Sequence, residues 1–411
     1  MKVVGIIAEY NPFHNGHKYQ IEELKKQTGA DYVVIAMSGD FLQRGVPAIC
    51  DKYKRTQMAL DSGADLVLEL PVIWATASAE FFAKGGVQLL THLGVVTHLG
   101  FGAETEQLDA LHRVSSILKA ETPLYQEVLA GELKMGKSFP SARKQALLAT
   151  ESTLSSDDLN ELLDSPNNIL ALEYLKALPE HITPVLIQRK GSGYHDKAID
   201  VPLPSATAIR EILLQKEADI PALTKAMPKE SLAVLADSLS CGALLDTEDF
   251  SSILGYRLLS LEKEGYYEYA DSNPELSNKI KNQLKNYTGF KAFCQALKSK
   301  DLTYTRVSRL LLHILLDIKQ TDYAFAQALD YVPYLRVLGF RQEAATLLHS
   351  IKKEAHVPLI TKVADAASIL SPEAYSIFEK DLYAASIYNQ VLAVKNHQPP
   401  VNEYTSQIVI R

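Results

Sequence analysis

Residues 3–17, Val3-Val4-Gly5-Ile6-Ile7-Ala8-Glu9-Tyr10-Asn11-Pro12-Phe13-His14-Asn15-Gly16-His17, decide how the rest of the chain is interpreted. The apolar run at 3–7 predicts a buried β-strand, and a polar turn leads from it to two histidines. Residues 18–26 then predict a helix. A helix N-terminus offers free backbone N–H groups and a positive dipole end, so it favours phosphate. His14 and His17 can donate hydrogen bonds to a phosphate that gains charge in a transition state, and Gly16 lets a nucleotide approach the backbone closely.

Two histidines beside a turn also occur as surface residues or as hydrogen-bonded core residues. Here they follow a first strand, which is where α/β folds place their ligands, and this position favours nucleotide binding. A zinc site would need further cysteine or histidine ligands at suitable spacing, and none lies nearby in the sequence. We therefore expect no metal held by protein ligands at this motif.

Strand and helix patterns alternate along the first half of the chain. Further apolar, β-rich runs cover 31–37, 64–70, 95–102 and 184–189, and helical patterns cover 52–62, 79–93 and most of 106–180. This alternation predicts a parallel, doubly wound sheet. Helical patterns dominate from about residue 220 onward. We predict an α/β fold with a Rossmann-like parallel sheet at residues 1–225, followed by a mainly α-helical C-terminal domain at residues 226–411.

Three polar or glycine-rich segments fall at the predicted carboxyl ends of strands. They are His14, Ser38-Gly39-Asp40 and Gly100-Phe101-Gly102. Because ligands of such sheets bind outside the carboxyl ends of the strands, these segments predict one shared pocket. Gly100 and Gly102 would let an adenine or ribose lie against the backbone, although a simple turn explains them equally well.

Several charged and polar residues follow the second strand. They are Asp40, Gln43, Arg44, Lys52 and Arg55. Two interpretations stay open, namely a pocket for a small second substrate and a solvated face.

A second phosphate-binding segment is predicted at Ser205-Ala206-Thr207-Ala208-Ile209-Arg210, after a loop at 190–196 that is rich in glycine and charge. Hydroxyls and free N–H groups at a helix start can hold phosphates, and Arg210, one turn further on, can pair with them. A plain helix cap with a solvated arginine is the alternative.

These segments also carry a family resemblance. His14-Asn15-Gly16-His17 after a first strand resembles the H-x-G-H motif of the nucleotidyltransferase superfamily, and 205–210 resembles its second phosphate motif, S-x-T-x-I-R. The wider string 5–17, with Met37-Ser38-Gly39-Asp40-Phe41, Gln43-Arg44-Gly45 and 166–170, is similar to the bacterial tRNA(Met) cytidine acetate ligase family. The resemblance implies a nucleotidyltransferase domain and an ATP-dependent ligase that forms acetyl-adenylate. The acetyl group would then pass to N4 of the wobble cytidine of elongator tRNA(Met), giving N4-acetylcytidine.

The resemblance also implies which residues act. His14, His17, Ser205, Thr207 and Arg210 would serve catalysis. The ATP contacts would be Ile7, Ala8, Glu9, Tyr10, Asn11, Pro12, Phe13, His14, Asn15, Gly16, His17, Lys18, Tyr19, Gln20, Gly102, Asn167 or Asn168, and Arg189. From the residues alone, either asparagine could instead cap the helix that follows it, and Arg189 could be a solvated loop arginine. Mg²⁺ would accompany ATP, bound chiefly through phosphate oxygens and water.

A basic pattern in the second half suggests RNA. Arg306, Arg309 and His313 are spaced three and four residues apart, which predicts one helix face, with leucines on the other. Such a stripe can track phosphates, so Arg306 and Arg309 are the predicted tRNA contacts. An amphipathic surface helix without a partner is the alternative.

Composition sets the remaining limits. The chain has 411 residues and a net charge of −7, but residues 271–411 contain 17 Lys and Arg against 13 Asp and Glu, which permits RNA binding there. No apolar run is long enough to span a membrane, and Cys50, Cys241 and Cys294 lack metal or disulfide spacing. We therefore expect a cytoplasmic protein with neither DNA nor a membrane as partner. Two alternatives stay open, a small-molecule adenylyltransferase and a non-catalytic ATP- or RNA-binding scaffold; the chain has no P-loop motif.

Overall fold

The computed structural model describes residues 1–151, 153–189, 205–215, 219–300 and 302–411. The predicted loop at 190–196 lies outside these ranges. The strands are β1 (Val3–Ala8), β2 (Tyr32–Ser38), β3 (Phe41–Leu42), β4 (Val46–Pro47), β5 (Leu66–Leu70), β6 (His98–Ala103), β7 (Thr183–Gln188), β8 (Leu335–Phe340), β9 (Leu359–Ile360) and β10 (Val409–Ile410).

The helices of the first 215 residues are α1 (Asn15–Thr28), α2 (Lys52–Asp61), α3 (Val72–Ala75), α4 (Ala79–His92), α5 (Leu108–Ala120), α6 (Pro123–Lys134), α7 (Phe139–Thr150), α8 (Ser156–Asp164), α9 (Pro166–Ala177) and α10 (Ala206–Leu213). Those that follow are α11 (Ile220–Leu223), α12 (Lys229–Ser240), α13 (Ser251–Ser260), α14 (Pro274–Gln283), α15 (Phe290–Leu297), α16 (Tyr304–Leu315), α17 (Gln320–Ala328), α18 (Ala345–Glu354), α19 (Ala366–Ile369) and α20 (Pro372–Asn396). None of these helices combines the length and apolar character that a membrane crossing requires.

The main sheet follows the order β10-β8-β5-β2-β1-β6-β7, with β9 beside the first part of β8. Strands β5, β2, β1, β6 and β7 run parallel to one another. Their carboxyl ends therefore meet at one edge, with β1 in the middle, β2 on one side and β6 on the other. The predicted α/β class with a parallel sheet is confirmed.

Alternation along the strands divides the core between the two faces of the sheet. Val4 and Ile6 of β1 belong to one buried cluster, together with side chains from α1, α2 and α12. Val3 belongs to the other cluster, which is built against α4, α5 and α9. Both faces are covered by helices, which explains why the strands are nearly continuous apolar runs.

The second half of the chain does not fold as a separate helical unit beside the sheet. Strand β8 pairs antiparallel with β5, and β9 and β10 pair parallel with β8, so these strands extend the sheet formed by the first half. The sheet is therefore mixed at this edge. The described part of 226–411 is mainly helical, as predicted, but a division at residue 225 does not separate the sheet from the rest.

Candidate active site

The two histidines close the N-terminus of α1 as a reciprocal cap. His14 is the N-cap residue, and its Nδ1 accepts a hydrogen bond from the Gly16 N–H at 3.0 Å. The His17 Nδ1 accepts from the His14 N–H at 3.3 Å. The two rings stack with their centroids 3.7 Å apart. Ser or Thr with Glu usually forms this arrangement, so imidazoles here replace ordinary capping groups.

The cap fixes the chemical state of both rings. Since each Nδ1 accepts a hydrogen bond, each neutral ring carries its proton on Nε2 and donates from there. Burial, aided by the positive charges of Arg189 and Arg210, lowers the pKa of His14 to about 3. Burial, with His14 and Arg189 nearby, also lowers the pKa of His17 well below its usual value. Both imidazoles are therefore neutral donors at physiological pH.

Helix α10 brings the second predicted phosphate segment to the same place. Ser205 caps it, because its Oγ accepts from the Ala208 N–H at 3.2 Å. Arg210 donates from Nη1 to the Asn11 carbonyl at 2.7 Å and from Nη2 to the Thr207 Oγ1 at 3.1 Å. The guanidinium therefore ties α10 to the loop that follows β1. The sequence pattern predicted this meeting across nearly two hundred residues.

The two neighbouring asparagines have different surroundings. Asn168 is fully buried, its Oδ1 accepts from the Glu104 N–H at 2.9 Å and the Thr105 N–H at 3.3 Å, and its Nδ2 donates to the Glu161 carbonyl at 2.9 Å. Asn167 donates to the Glu104 carboxylate at 2.6 Å and lines a cavity. Asn168 thus organises the loop after β6, whereas Asn167 lines the cavity.

That cavity has a volume of about 350 Å³, within the range of small-ligand sites. Predicted site residues in its lining are Ile7, Ala8, Glu9, Tyr10, Asn11, His14, His17, Gln20, Gly102, Asn167, Arg189, Ser205, Thr207 and Arg210. Predicted ATP contacts outside its lining are Pro12, Phe13, Asn15, Gly16, Lys18, Tyr19 and Asn168. The structure thus brings together residues from β1, α1, β6, α9 and α10 with Arg189, which follows β7 directly, as expected at the carboxyl ends of the strands.

Some residues outside the lining have evident structural roles. Phe13 is fully buried with its ring 4.8 Å from that of Tyr10. Gly16 lies under the His14 ring, whose Cε1 would be 2.8 Å from any Cβ at that position. Gly100 makes room for Leu24, so its predicted role beside the nucleotide is wrong. Gly102, by contrast, lines the cavity beside Arg189.

The segment after β2 forms a small hairpin, β3–β4, whose residues Leu42, Gln43, Arg44 and Val46 line the cavity. The Gln43 N–H donates to the Glu9 Oε1 at 2.8 Å, which joins the hairpin to the loop after β1. Sequence reasoning singled out Gln43 and Arg44 but missed the apolar pair, Leu42 and Val46. The signal available was Gly45 between two short apolar segments, which is typical of a three-residue hairpin turn.

The other charged residues of this segment are buried inside the protein. Arg55 is fully buried and donates to backbone carbonyls of Glu9, Ser38, Gly39 and Cys50, so it clamps the ends of β1 and β2. Lys52 forms ion pairs with Asp40 at 3.6 Å, Glu69 at 3.0 Å and Glu403 at 3.0 Å. A solvated face is therefore wrong for Asp40, Lys52 and Arg55.

Helix α16 does not present the predicted basic stripe to solvent. His313 is fully buried, with Nε2 3.0 Å from the Thr76 carbonyl and Nδ1 3.1 Å from that of Ala270. Arg309 is buried and holds the Asp271 carboxylate through Nε at 2.7 Å and Nη2 at 3.2 Å. The stripe is wrong because Thr76 from the first half of the chain and Ala270 and Asp271 from the second half cover this face. Of the predicted tRNA contacts, Arg306 alone keeps a partly exposed side chain.

The fold and the histidine cap define the class. A family model described as HIGH Nucleotidyl Transferase matches residues 1–402. Proteins of similar sequence identify a family within this class. A tRNA(Met) cytidine acetate ligase of Acetivibrio thermocellus is 37% identical, with all of both chains covered, and one of Thermoanaerobacter sp. strain X514 is 40% identical over 96% of both chains.

Solved structures support the same family assignment as the relatives. The crystal structure of Thermotoga maritima TmcAL in its apo form I is similar, with 28% identity and a TM-score of 0.92 over 100% of this chain and 99% of that one. The crystal structure of the same protein bound with alpha-thio ATP, form II, is similar with 29% identity and a TM-score of 0.90 over all of both chains. The chain belongs to the tRNA(Met) cytidine acetate ligase family. The family predicted from the motifs is confirmed, and with it the assignment to ligase enzymes.

Proposed function

We propose that this protein uses ATP to activate acetate as acetyl-adenylate and transfers the acetyl group to N4 of the wobble cytidine of elongator tRNA(Met). The observation that carries the first step is the histidine cap, which places two neutral imidazoles, protonated on Nε2, in the lining of a cavity shared with α10. The curated relatives, and an ATP-analogue complex of a similar structure, support the choice of ATP and tRNA.

In the first step a carboxylate oxygen of acetate attacks the α-phosphorus of ATP, the bond from that phosphorus to the bridging oxygen breaks, and pyrophosphate leaves. His14 and His17 donate hydrogen bonds to the α-phosphate as its charge grows. Neutral rings suit this role, since they act as donors without losing a proton. Ser205, Thr207 and Arg210 hold the departing phosphates at the start of α10.

In the second step the cytidine amine attacks the acetyl carbon, AMP leaves and the amine loses a proton. The enzyme's contribution is mainly positioning, since both reactants are held in one cavity. Mg²⁺ would be held by phosphate oxygens and water, and among the described residues no group of three or more His, Cys, Asp or Glu side chains is placed to hold a metal by itself. The proposal puts the enzyme in the cytoplasm with its tRNA.

The nucleoside would lie on the β6 side of the cavity, against Gly102, with Asn167 and Arg189 as polar contacts. The tRNA would bind the helical second half, where Arg306 is the remaining candidate from the sequence. Arg309 is withdrawn as a direct phosphate contact, because Asp271 occupies its guanidinium.

The test is acetate-dependent exchange of labelled pyrophosphate into ATP, measured with and without tRNA. We expect exchange that requires acetate and falls at least about a hundredfold in His14→Ala and His17→Ala, since each loses a donor to the developing charge. The matched control is His349→Ala, an exposed histidine on α18. Mass spectrometry of the tRNA should then show acetylated cytidine. If the protein, with tRNA present, gives no exchange and no acetylated cytidine, the proposal is refuted.

A further inference from the structure

The β3–β4 hairpin forms a wall of the cavity that the nucleotide contacts do not use. The proposed nucleoside contacts, Gly102, Asn167 and Arg189, lie on the β6 and β7 side, whereas the hairpin follows β2 on the other side of β1. Phosphate contacts at 205–210 and the histidine cap lie with β1. A second reactant must approach the α-phosphorus from a side free of both nucleoside and leaving group. Of the lining that remains, which also includes apolar residues of α4 and α9, the hairpin carries the cationic side chain.

The wall has the chemistry of a short carboxylic acid site. Leu42 and Val46 are paired across the hairpin and give it an apolar surface. Gln43 and Arg44, at the turn, give it an amide and a guanidinium. A guanidinium matches a carboxylate in charge and in geometry, because it can offer two parallel N–H groups. Together these residues suit a ligand with one carboxylate and a small apolar tail.

The hairpin is also held rigidly, as a specific subsite requires. Its base enters the core, where the Phe41 ring lies 5.6 Å from Phe250 and 5.9 Å from Tyr388. Its turn is held by α16, since the Ser308 Oγ donates to the Gly45 carbonyl at 2.8 Å. Its other anchor is the Glu9 carboxylate, which accepts from the Gln43 N–H. Residues from both halves of the chain thus fix the same turn.

We infer that this hairpin is the acyl subsite, in which Arg44 receives the carboxylate of acetate and Val46, with Leu42, borders its methyl group and limits the chain length of the acid. The inference rests on the proposed function, because it assigns a place to that function's carboxylic acid. The hairpin could alternatively hold the cytidine of the tRNA, and the KM values for acetate and for tRNA separate the two.

The experiment measures acetylated cytidine formed by the full chain while acetate, ATP and tRNA are varied in turn. Arg44→Met should raise the KM for acetate by roughly ten- to a hundredfold, the usual loss for a charge-assisted hydrogen bond, with the KM for ATP and tRNA nearly unchanged. Arg44→Lys should restore part of this loss. Arg113→Met, on the exposed face of α5, is the matched control and should behave as the wild type.

Val46→Ala supplies a second readout that a folding defect cannot imitate. By enlarging the apolar wall it should raise the ratio of kcat/KM for propionate to that for acetate by roughly tenfold, the lower end of the range that one methylene is worth in such pockets. If the wild type is active but the Arg44 and Val46 variants keep its KM for acetate and its preference among acids, the subsite is wrong and the proposed function stands. A rise in the KM for tRNA only would assign the hairpin to cytidine and also overturns it. A wild type that forms no acetylated cytidine defeats the proposed function, and the subsite with it.

Discussion

The contrast between Asn167 and Asn168 gives a sharp test of the site's geometry. Asn168→Ala removes three hydrogen bonds that join α9 to the loop after β6 and to α8. Two backbone N–H groups and one carbonyl then lose their partner. Each buried polar group left unsatisfied costs about 1–3 kcal/mol. Because two of the three bonds are only partly buried, water replaces some of the loss, and we expect the free energy of unfolding to fall by about 3–5 kcal/mol.

Asn167→Ala should behave in the opposite way. It removes one partly buried bond to Glu104, so the loss of stability should stay below about 1 kcal/mol. Its effect should instead be on ATP, with the KM raised by about five- to tenfold for the loss of one hydrogen bond to the nucleotide.

Urea unfolding followed by fluorescence and steady-state ATP kinetics separate the two effects. Asn282→Ala, on the exposed face of α14, is the matched control and should change neither quantity. If Asn168→Ala keeps wild-type stability and raises the KM for ATP, while Asn167→Ala does neither, the assignment of the two roles is wrong.

Three further predictions concern the cap, the hairpin turn and α16. Between about pH 4 and 6 the unfolded state holds a proton on His14 (pKa 6.5) that the folded state (pKa about 3) does not, so the free energy of unfolding falls as the pH falls. In His14→Gln, the slope of this free energy against pH, measured by urea titrations, should be smaller by about 1.4 kcal/mol per pH unit. Gly45 has a φ of +72°, and a Cβ there would clash with the backbone nitrogen of Arg309, so Gly45→Ala should lower the free energy of unfolding by about 1–3 kcal/mol in the same assay. Equal stability would contradict the geometry. Arg309→Met leaves the Asp271 carboxylate without its guanidinium partner and should lower the free energy of unfolding by about 2–4 kcal/mol. Arg306→Met should leave this free energy nearly unchanged and should reduce the slope of log tRNA affinity against log salt concentration by about 1. The reverse pattern would return Arg309 to the RNA interface.

Local sequence patterns predicted much of the fold. The run at 3–7, the turn and the histidine pair define β1 and the start of α1 because the signals are contiguous in the chain. The strand ends at 38–40 and 102 could be placed beside them because a parallel sheet brings carboxyl ends to one edge. Ser205, Thr207 and Arg210 were predicted differently, from a helix start with hydroxyls and from the resemblance to a phosphate motif.

What the sequence could not show depends on contacts between distant segments. Strand β8 lies within a mainly helical region, and its partner β5 is far away in the chain, so no local pattern indicates the pairing. Helix α16 looks amphipathic because Arg309 and His313 share a face, but Asp271 and Thr76 cover that face in the fold. For Asn167 and Asn168, a rotation of about 100° between consecutive helix residues decides which meets the cavity, and spacing alone does not fix that rotation.

The pairing of β8 with β5 also affects how the protein is made on the ribosome. Strands β1, β2, β5 and β6 leave the ribosome long before β8, so a nascent chain carries β5 with one edge unpaired until residues 335–340 emerge. An unpaired, apolar strand edge can recruit another strand and aggregate. Protection of that edge during synthesis, by rapid translation of the intervening segment or by a chaperone, would therefore favour a good yield of folded protein. Strand β8 supplied in trans should bind such a nascent chain.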